Sequence, residues 1–203
     1  MKRSENSQFK RIYNWTIPAL MTKDGFKTCP MAGVCAGGCY AKMGAYIWPK
    51  VYAKHESNLK LTFTEEFTAA MSLEIKRTKA DLVRIHDAGD FYSLEYLKKW
   101  IAIAQLNPGV QFYAYTKMVE LIKSVDIPSN LVIIFSLGGK QDSLIDQATD
   151  RHSKVFESLD ALLAAGYIDT SHDDTLALGS NAKIGLVYHG NKNFSKTAWD
   201  RVA

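Results

Sequence analysis

Apolar and polar positions along this chain follow two periods, and segments of one kind alternate with segments of the other. Ile12 to Leu20 is apolar and aromatic and reads as a first strand, with Pro18 confining its end. Lys50 to Lys60 and Thr64 to Lys79 carry helical spacing. In the second of these Phe63, Phe67, Ala70, Met71 and Ile75 form one face, and Thr62 with Glu65 spells a capping box. Asp81 to His86 is a short strand. Ser93 then opens a helix from Leu94 to Leu106 that turns Leu97, Trp100, Ile101 and Ala104 inward and ends at Asn107-Pro108-Gly109. A strand follows at Val110 to Tyr115, a shorter helix at Lys117 to Ser124 and a turn at Pro128-Ser129-Asn130. Leu131 to Ser136 is an unbroken apolar run, the pattern of a strand covered on both faces. A helix from Arg151 to Ala165, stopped by Gly166, and strands at Thr175 to Leu178 and Lys183 to His189 complete the order.

Strands alternating with helices predict an α/β protein with a parallel sheet, built either as an open doubly wound sheet or as a full or partial (β/α) barrel. Sites in such folds form at the carboxyl ends of strands. Four segments at that side are chemically loaded: the cysteine segment after the first strand, Asp87 to Ser93, Tyr115-Thr116-Lys117, and Ser136 to Lys140. Gly138-Gly139-Lys140 lacks the rest of a phosphate-binding loop and is a weak phosphate signal.

At 203 residues the chain suits one domain, 1–203, burying roughly 70% of its unfolded surface. Residues 1–11 read as a polar basic arm, with Lys2, Arg3, Lys10 and Arg11 against Glu5. A solvated terminus explains the arm, although contact with nucleic acid stays open. The net charge of +4, 47% hydrophobic and 23% charged residues are ordinary for a globular chain. No stretch reads as a signal peptide or membrane span, so the expected location is a reducing cytoplasm.

The departure from the ordinary is Cys29, Cys35 and Cys39, the three cysteines of the chain, which fall within eleven residues of one loop. Disulfides leave one thiol over. Zinc suits the spacing of Cys35 and Cys39, with a His or Asp as fourth ligand, but no second knuckle follows. An iron-sulfur cluster needs thiolates reaching different irons from a loop that wraps it, and Gly33, Gly37 and Gly38 permit that close approach. In this reading each cysteine binds one iron and Tyr40 shields the cluster from water.

With the cysteine loop, Val83 to Ser93 and Phe112 to Lys117 in view, the chain resembles, from about Thr28 to Gly139, a family of bacteriophage proteins similar to reduced radical S-adenosylmethionine enzymes. The resemblance implies a partial barrel of parallel strands, a three-cysteine loop after strand one and a Gly-Gly-Glu-like motif after strand two, where Ala88-Gly89-Asp90 stands here. It further implies a [4Fe-4S] cluster with one open iron that binds S-adenosylmethionine and cleaves it reductively. The gaps between these cysteines are wider than in those enzymes. A host cytoplasm is the location implied for a phage-encoded chain, with a redox or host protein as its partner.

Asp90 is the leading candidate for a fourth ligand, as an oxygen donor on the loop expected above the cluster. A turn or cap role before Ser93 is its alternative. Asp87 and His86 come next, and His55 after them. With the fourth iron open, Asp90 would accept a hydrogen bond from an amine and Lys117 would offset a carboxylate. Tyr113 and Tyr115, two apart on a strand, face the pocket together or not at all. Asp90, Lys117 and Tyr115 are thus the candidate cofactor-binding residues, and Arg84 is set to pair with a neighbouring carboxylate.

Overall fold

Parallel neighbours cannot be joined by tight hairpins, so each pair of strands demands a crossover. A computed structural model describes residues 9–188 of the chain. Strand β1 (Ile12–Trp15) leads through the cysteine loop into helices α1 (Pro49–Thr62) and α2 (Phe67–Thr78). Then come β2 (Leu82–Ile85), α3 (Leu94–Leu106), β3 (Gln111–Thr116), α4 (Val119–Lys123) and β4 (Leu131–Ser136). The remaining elements are β5 (His152–Phe156), α5 (Leu159–Ala164), β6 (Ile168–Asp169) and β7 (Lys183–Val187). All pair in parallel in the order β1-β2-β3-β4-β5-β7-β6, and this seven-stranded sheet forms a half-barrel. The predicted partial barrel is the observed fold.

Strand alternation sorts side chains between two layers. Val83, Ile85, Phe112, Ala114 and Phe135 join the helices in the main core, around Trp15, Phe67 and Trp100. Leu82, Tyr113, Ile134 and Ile184 form a second cluster with Ala177 on the other face. Ser93 caps α3 as expected, its hydroxyl accepting from the Tyr96 N–H at 3.2 Å.

Five expectations need correction. The stretch Arg151 to Ala165 is not one helix. His152 to Phe156 forms β5 beside β4, with Phe135 in register with His152, and Ser158 caps the helix that begins at Leu159. A polar residue that satisfies orphan N–H groups marks a start, and here it divides the stretch. Thr175 to Leu178 is no strand but part of a 3-10 turn, Asp174–Leu178, capped by Asp173. The first strand ends at Trp15, before Pro18. Thr62 is the last residue of α1 rather than the first cap of α2; its hydroxyl donates to the Leu59 carbonyl and meets the Tyr92 hydroxyl. Phe63, expected on the inner face of α2, lies outside it and is 52% exposed, packed edge-on against Phe26. Lys2, Arg3 and Glu5 of the arm, and His189 at the end of the last predicted strand, lie outside the described residues.

Candidate functional site

The cysteine segment is folded by its own backbone before it meets the barrel. The N–H groups of Thr28 and Cys29 both donate to the Leu20 carbonyl, at 3.0 and 3.2 Å, and the Leu20 N–H donates to the Cys29 Sγ at 3.3 Å. Farther along, the loop docks on the turn after β4. Ala32 bridges Gly139, the Lys140 N–H reaches the Met31 carbonyl at 2.9 Å, and short 3-10 turns at Val34–Ala36 and Tyr40–Lys42 carry the chain past Cys35 and Cys39. The approach is close enough to require glycine: a Cβ on Gly33 would stand 2.7 Å from the Gly138 carbonyl oxygen. Gly89 is held on two counts, by φ of 91° and by the Ile17 side chain 2.2 Å from where its Cβ would lie.

Cys29, Cys35 and Cys39 all line one cavity of about 400 Å³ at the carboxyl ends of the strands, and none is in a disulfide. Burial, helped by the charge of Asp90, pushes the Cys29 thiol up to about 12, and burial raises Cys39 as well. Such thiols keep their protons at neutral pH until a cation displaces them. Among the described residues no three His, Cys, Asp or Glu side chains are grouped to hold a single metal ion. A single zinc takes its thiolates about 2.3 Å from one centre, whereas a cluster takes them on different irons, and three thiols lining one cavity are a donor set of the kind either would use.

Asp90 is buried, and its carboxylate is engaged. Oδ1 accepts from the Phe91 N–H at 2.7 Å and the Thr116 hydroxyl at 2.6 Å, and Oδ2 accepts from the Lys117 N–H at 3.0 Å. Its own N–H donates to the Thr28 carbonyl at 3.0 Å. Burial raises its carboxyl above the usual range while these donors pull the other way. Asp90 therefore ties the β2 and β3 ends to the base of the cysteine loop. Lys117 lines the cavity, but its ammonium donates to the Ser136 carbonyl, the Ser136 hydroxyl and the Leu137 carbonyl at 2.8 to 2.9 Å, which uses all three protons.

The opposite wall of the cavity is charged. Arg84 contacts Asp174 at 2.8 Å and Asp87 at 3.5 Å, and its guanidinium lies 5.2 Å from the centre of the Tyr115 ring. Burial, the largest single influence, would lower its basicity; the negative partners around it, Asp174 first and Asp87 among them, together outweigh that and hold the guanidinium ionised. Tyr113 and Tyr115 do share a face, and both hydroxyls donate to Asp174, each at 2.7 Å. Tyr40 lines the cavity next to Cys39 and donates its hydroxyl to the Asp87 carbonyl, while Tyr46 donates to the Asp87 carboxylate. Asp174, Thr170, Ser171 and His172 complete this wall without having been singled out in the sequence. The signal available for Asp174 was the paired Asp173-Asp174 before Thr175, a turn start rather than a strand start.

Of the two candidate histidines, His86 borders the cysteine cavity with its ring engaged elsewhere, and His55 lies outside it. Alternation would send His86 to the same face as Arg84, but its φ of 65° turns the ring outward onto Phe91 and Tyr96, 4.7 and 5.5 Å away. There Nε2 meets the Tyr96 hydroxyl at 2.9 Å, and burial pushes the imidazole down to about 3. His55 sits on α1 in a separate groove, 6.0 Å from the Tyr46 ring.

No helix among the described residues is long and apolar enough to cross a membrane. No solved structure matches the chain. Over 111 residues it is 34% identical to the Gene 88 protein of Mycobacterium phage L5, a match covering 49% of this chain and 46% of that protein. The chain thus spans about half the length of the curated relative it matches. The family model described as Gene product 88 matches residues 1–201, so the chain belongs to this family of phage gene products.

Proposed function

We propose that the protein is an iron-sulfur protein that holds a [4Fe-4S] cluster on Cys29, Cys35 and Cys39. The observation that carries this reading is the convergence of three unbonded thiols, from one loop, on one cavity at the carboxyl rim of a parallel half-barrel. The Leu20 N–H aimed at the Cys29 sulfur is the kind of donor that stabilises a ligating thiolate. Asp90, with its oxygens already accepting three hydrogen bonds, would support the loop in this reading rather than ligate a fourth iron. A cluster there would supply redox or Lewis-acid chemistry. Free thiols suit the reducing cytoplasm of an infected host.

A second reading, a radical S-adenosylmethionine enzyme, is favoured by the continuation of the cavity past the cysteines to Arg84, Asp87, Tyr115 and Asp174. That wall offers carboxylates, a guanidinium and phenol rings to a small zwitterionic ligand.

Anaerobic purification with iron and acid-labile sulfide assays tests the first reading: near-stoichiometric sulfide in the wild type, and none in Cys35→Ala, is expected. A colourless, sulfide-free preparation carrying stoichiometric zinc would reject both cluster readings in favour of a zinc module. Asp90→Ala should keep the cluster's iron count; loss of one iron would restore Asp90 as a ligand. Release of 5'-deoxyadenosine from S-adenosylmethionine under strong reductant, above the Cys35→Ala background, would establish the second reading.

A further inference from the structure

Charge is distributed unevenly along this chain. Residues 12–56 hold Lys23, Lys27, Lys42, Lys50 and Lys54 against Asp24 and Glu56, a surplus of three positive charges. Residues 126–174 hold nine carboxylates against Lys140, Arg151 and Lys154. The five lysines are all exposed. Two of them, Lys23 and Lys42, line a groove of about 620 Å³ beside the cysteine cavity, together with Leu20, Met21, Ile47, Tyr52 and Glu56. Lys50 and Lys54 follow the lining residues Pro49 and Ala53 on α1. Met21 and Ile47 are 52% and 59% exposed, an apolar surface on which lysines outnumber the carboxylates of Asp24 and Glu56.

The acidic region carries the converse. Helix α5 buries Leu162 alone, and Leu159 and Leu163, four apart on one face, are 46% and 56% exposed. Asp160 is exposed beside them and Glu157 precedes the Ser158 cap. This is an apolar stripe flanked by the exposed Asp160 and the half-buried Glu157.

We propose that the lysine-rimmed groove of one copy receives α5 of a second copy. The two surfaces do not meet within one chain: α5 packs on β5, β6 and β7, whereas the groove is walled by the segment after β1 and by α1, at the other end of the sheet order. Residues 1–8 and 189–203 do not supply the missing acid, since Lys2, Arg3, Lys192, Lys196 and Arg201 outnumber Glu5 and Asp200. The contact joins two different surfaces, so it propagates head to tail. It forms quickly through charge and weakens with salt. Ala19, Leu20 and Ala41 wall both the groove and the cysteine cavity, so a seated helix presses on the layer that holds Cys29. The association itself is independent of what the cysteines bind.

Sedimentation velocity of the nuclease-treated full-length chain tests it. Species larger than the monomer should grow with concentration at low salt and collapse at about 1 M salt, where screening reaches about 3 Å. Lys23→Glu with Lys42→Glu, and separately Leu159→Asp with Leu163→Asp, should each weaken association roughly tenfold or more. Mixed together, the two double variants keep one good face each, so they should pair and stop at dimers. Circular dichroism verifies that both are folded, and Lys76→Glu with Lys98→Glu, a charge change equal to that of the lysine pair but on α2 and α3, should alter nothing. A monomer at every concentration, association untouched by either double variant, a mixture that stays monomeric, or equal loss with Lys76→Glu and Lys98→Glu would each overturn the proposal. Association that vanishes with nuclease would assign the lysine face to nucleic acid instead.

Discussion

The two faces of the half-barrel are built on different physics. On the helix-covered face Trp15, Phe67, Tyr96 and Trp100 are each no more than 9% exposed, and their rings meet edge to face or tilted at 5.4 to 6.5 Å. The other face starts apolar with Leu82, Ile134 and Ile184 but turns ionic at Arg84, Tyr115 and Asp174. Apolar burial is non-directional and tolerates many arrangements, so the helix side can carry most of the stability. Fixed buried charges stabilise little and cost desolvation, and a fold keeps them where position matters more than stability. Fold and site are therefore separable, and substitutions on the two faces should fail in different ways.

The largest effect is expected on the helix side. Trp100→Ala removes a fully buried ring and should cost about 3–5 kcal/mol, read as a lowered urea midpoint. The chains that remain folded should still bind iron at the wild-type ratio. A ratio that falls with stability would show that the two faces are coupled after all.

On the charged face Asp174→Ala should cost about 3 kcal/mol, because it strands Arg84 and two phenol hydroxyls at once. The double change Arg84→Met with Asp174→Asn should recover most of that loss by removing the stranded charge. If Asp174→Ala instead costs under about 1 kcal/mol, the pair behaves like a solvent-exposed bridge and the face is not a rigid site wall.

Sequence pattern carried the helix side well and the site only in part. Leu131 to Ser136 could be little else than a covered strand, and the face of α3 around Leu97, Trp100 and Ala104 was legible because period and cap agree. β5 was not legible. His152 to Phe156 is five residues long and precedes a helix with no glycine or proline between them, so Ser158 was the sole punctuation. The three thiols announced a site, and Asp90 and Lys117 were placed beside it. What those two side chains do depends on partners 19 to 27 residues away, at Ser136 and Thr116 among others, which no local period encodes. The facing of His86 was hidden for another reason: it follows β2 with a positive φ, which no strand period encodes.

The cysteine rim sharpens the contrast through pH. In the metal-free protein the folded Cys29 thiol lies near 12, above its ordinary value of 9.0, so the neutral thiol is the form the fold favours. Its contribution is complete below about pH 9 and is lost as pH rises toward 12. The metal-free wild type should therefore lose on the order of 2 kcal/mol more than Cys29→Ala across that window, measured by urea unfolding at stepped pH. The same proton makes metal uptake weaken as pH falls, which cadmium titration at neutral and mildly acidic pH would read directly.

The smallest effect belongs at the outer edge, where Arg11 and Asp81 join the start of β1 to the start of β2. Asp81 accepts from the backbone N–H of Arg11 at 2.9 Å and of Lys10 at 3.2 Å, and from the Arg11 guanidinium at 2.8 Å. The side-chain bond to Arg11, more than the backbone ones, holds its carboxyl down at about 2. A lowered carboxyl contributes above its ordinary range, so the contribution is full above about pH 4 and lost as pH falls through 2. Both side chains are solvent-accessible, at 48% and 30%, and screening keeps the contribution well under about 1 kcal/mol. Thermal melts of Asp81→Asn against wild type should differ slightly at pH 7 and converge near pH 2. A gap much above 1 kcal/mol at pH 7 would mean that the edge strand needs this anchor to pair. Stability would then reside in polar contacts outside the aromatic core, against the division drawn between the two faces.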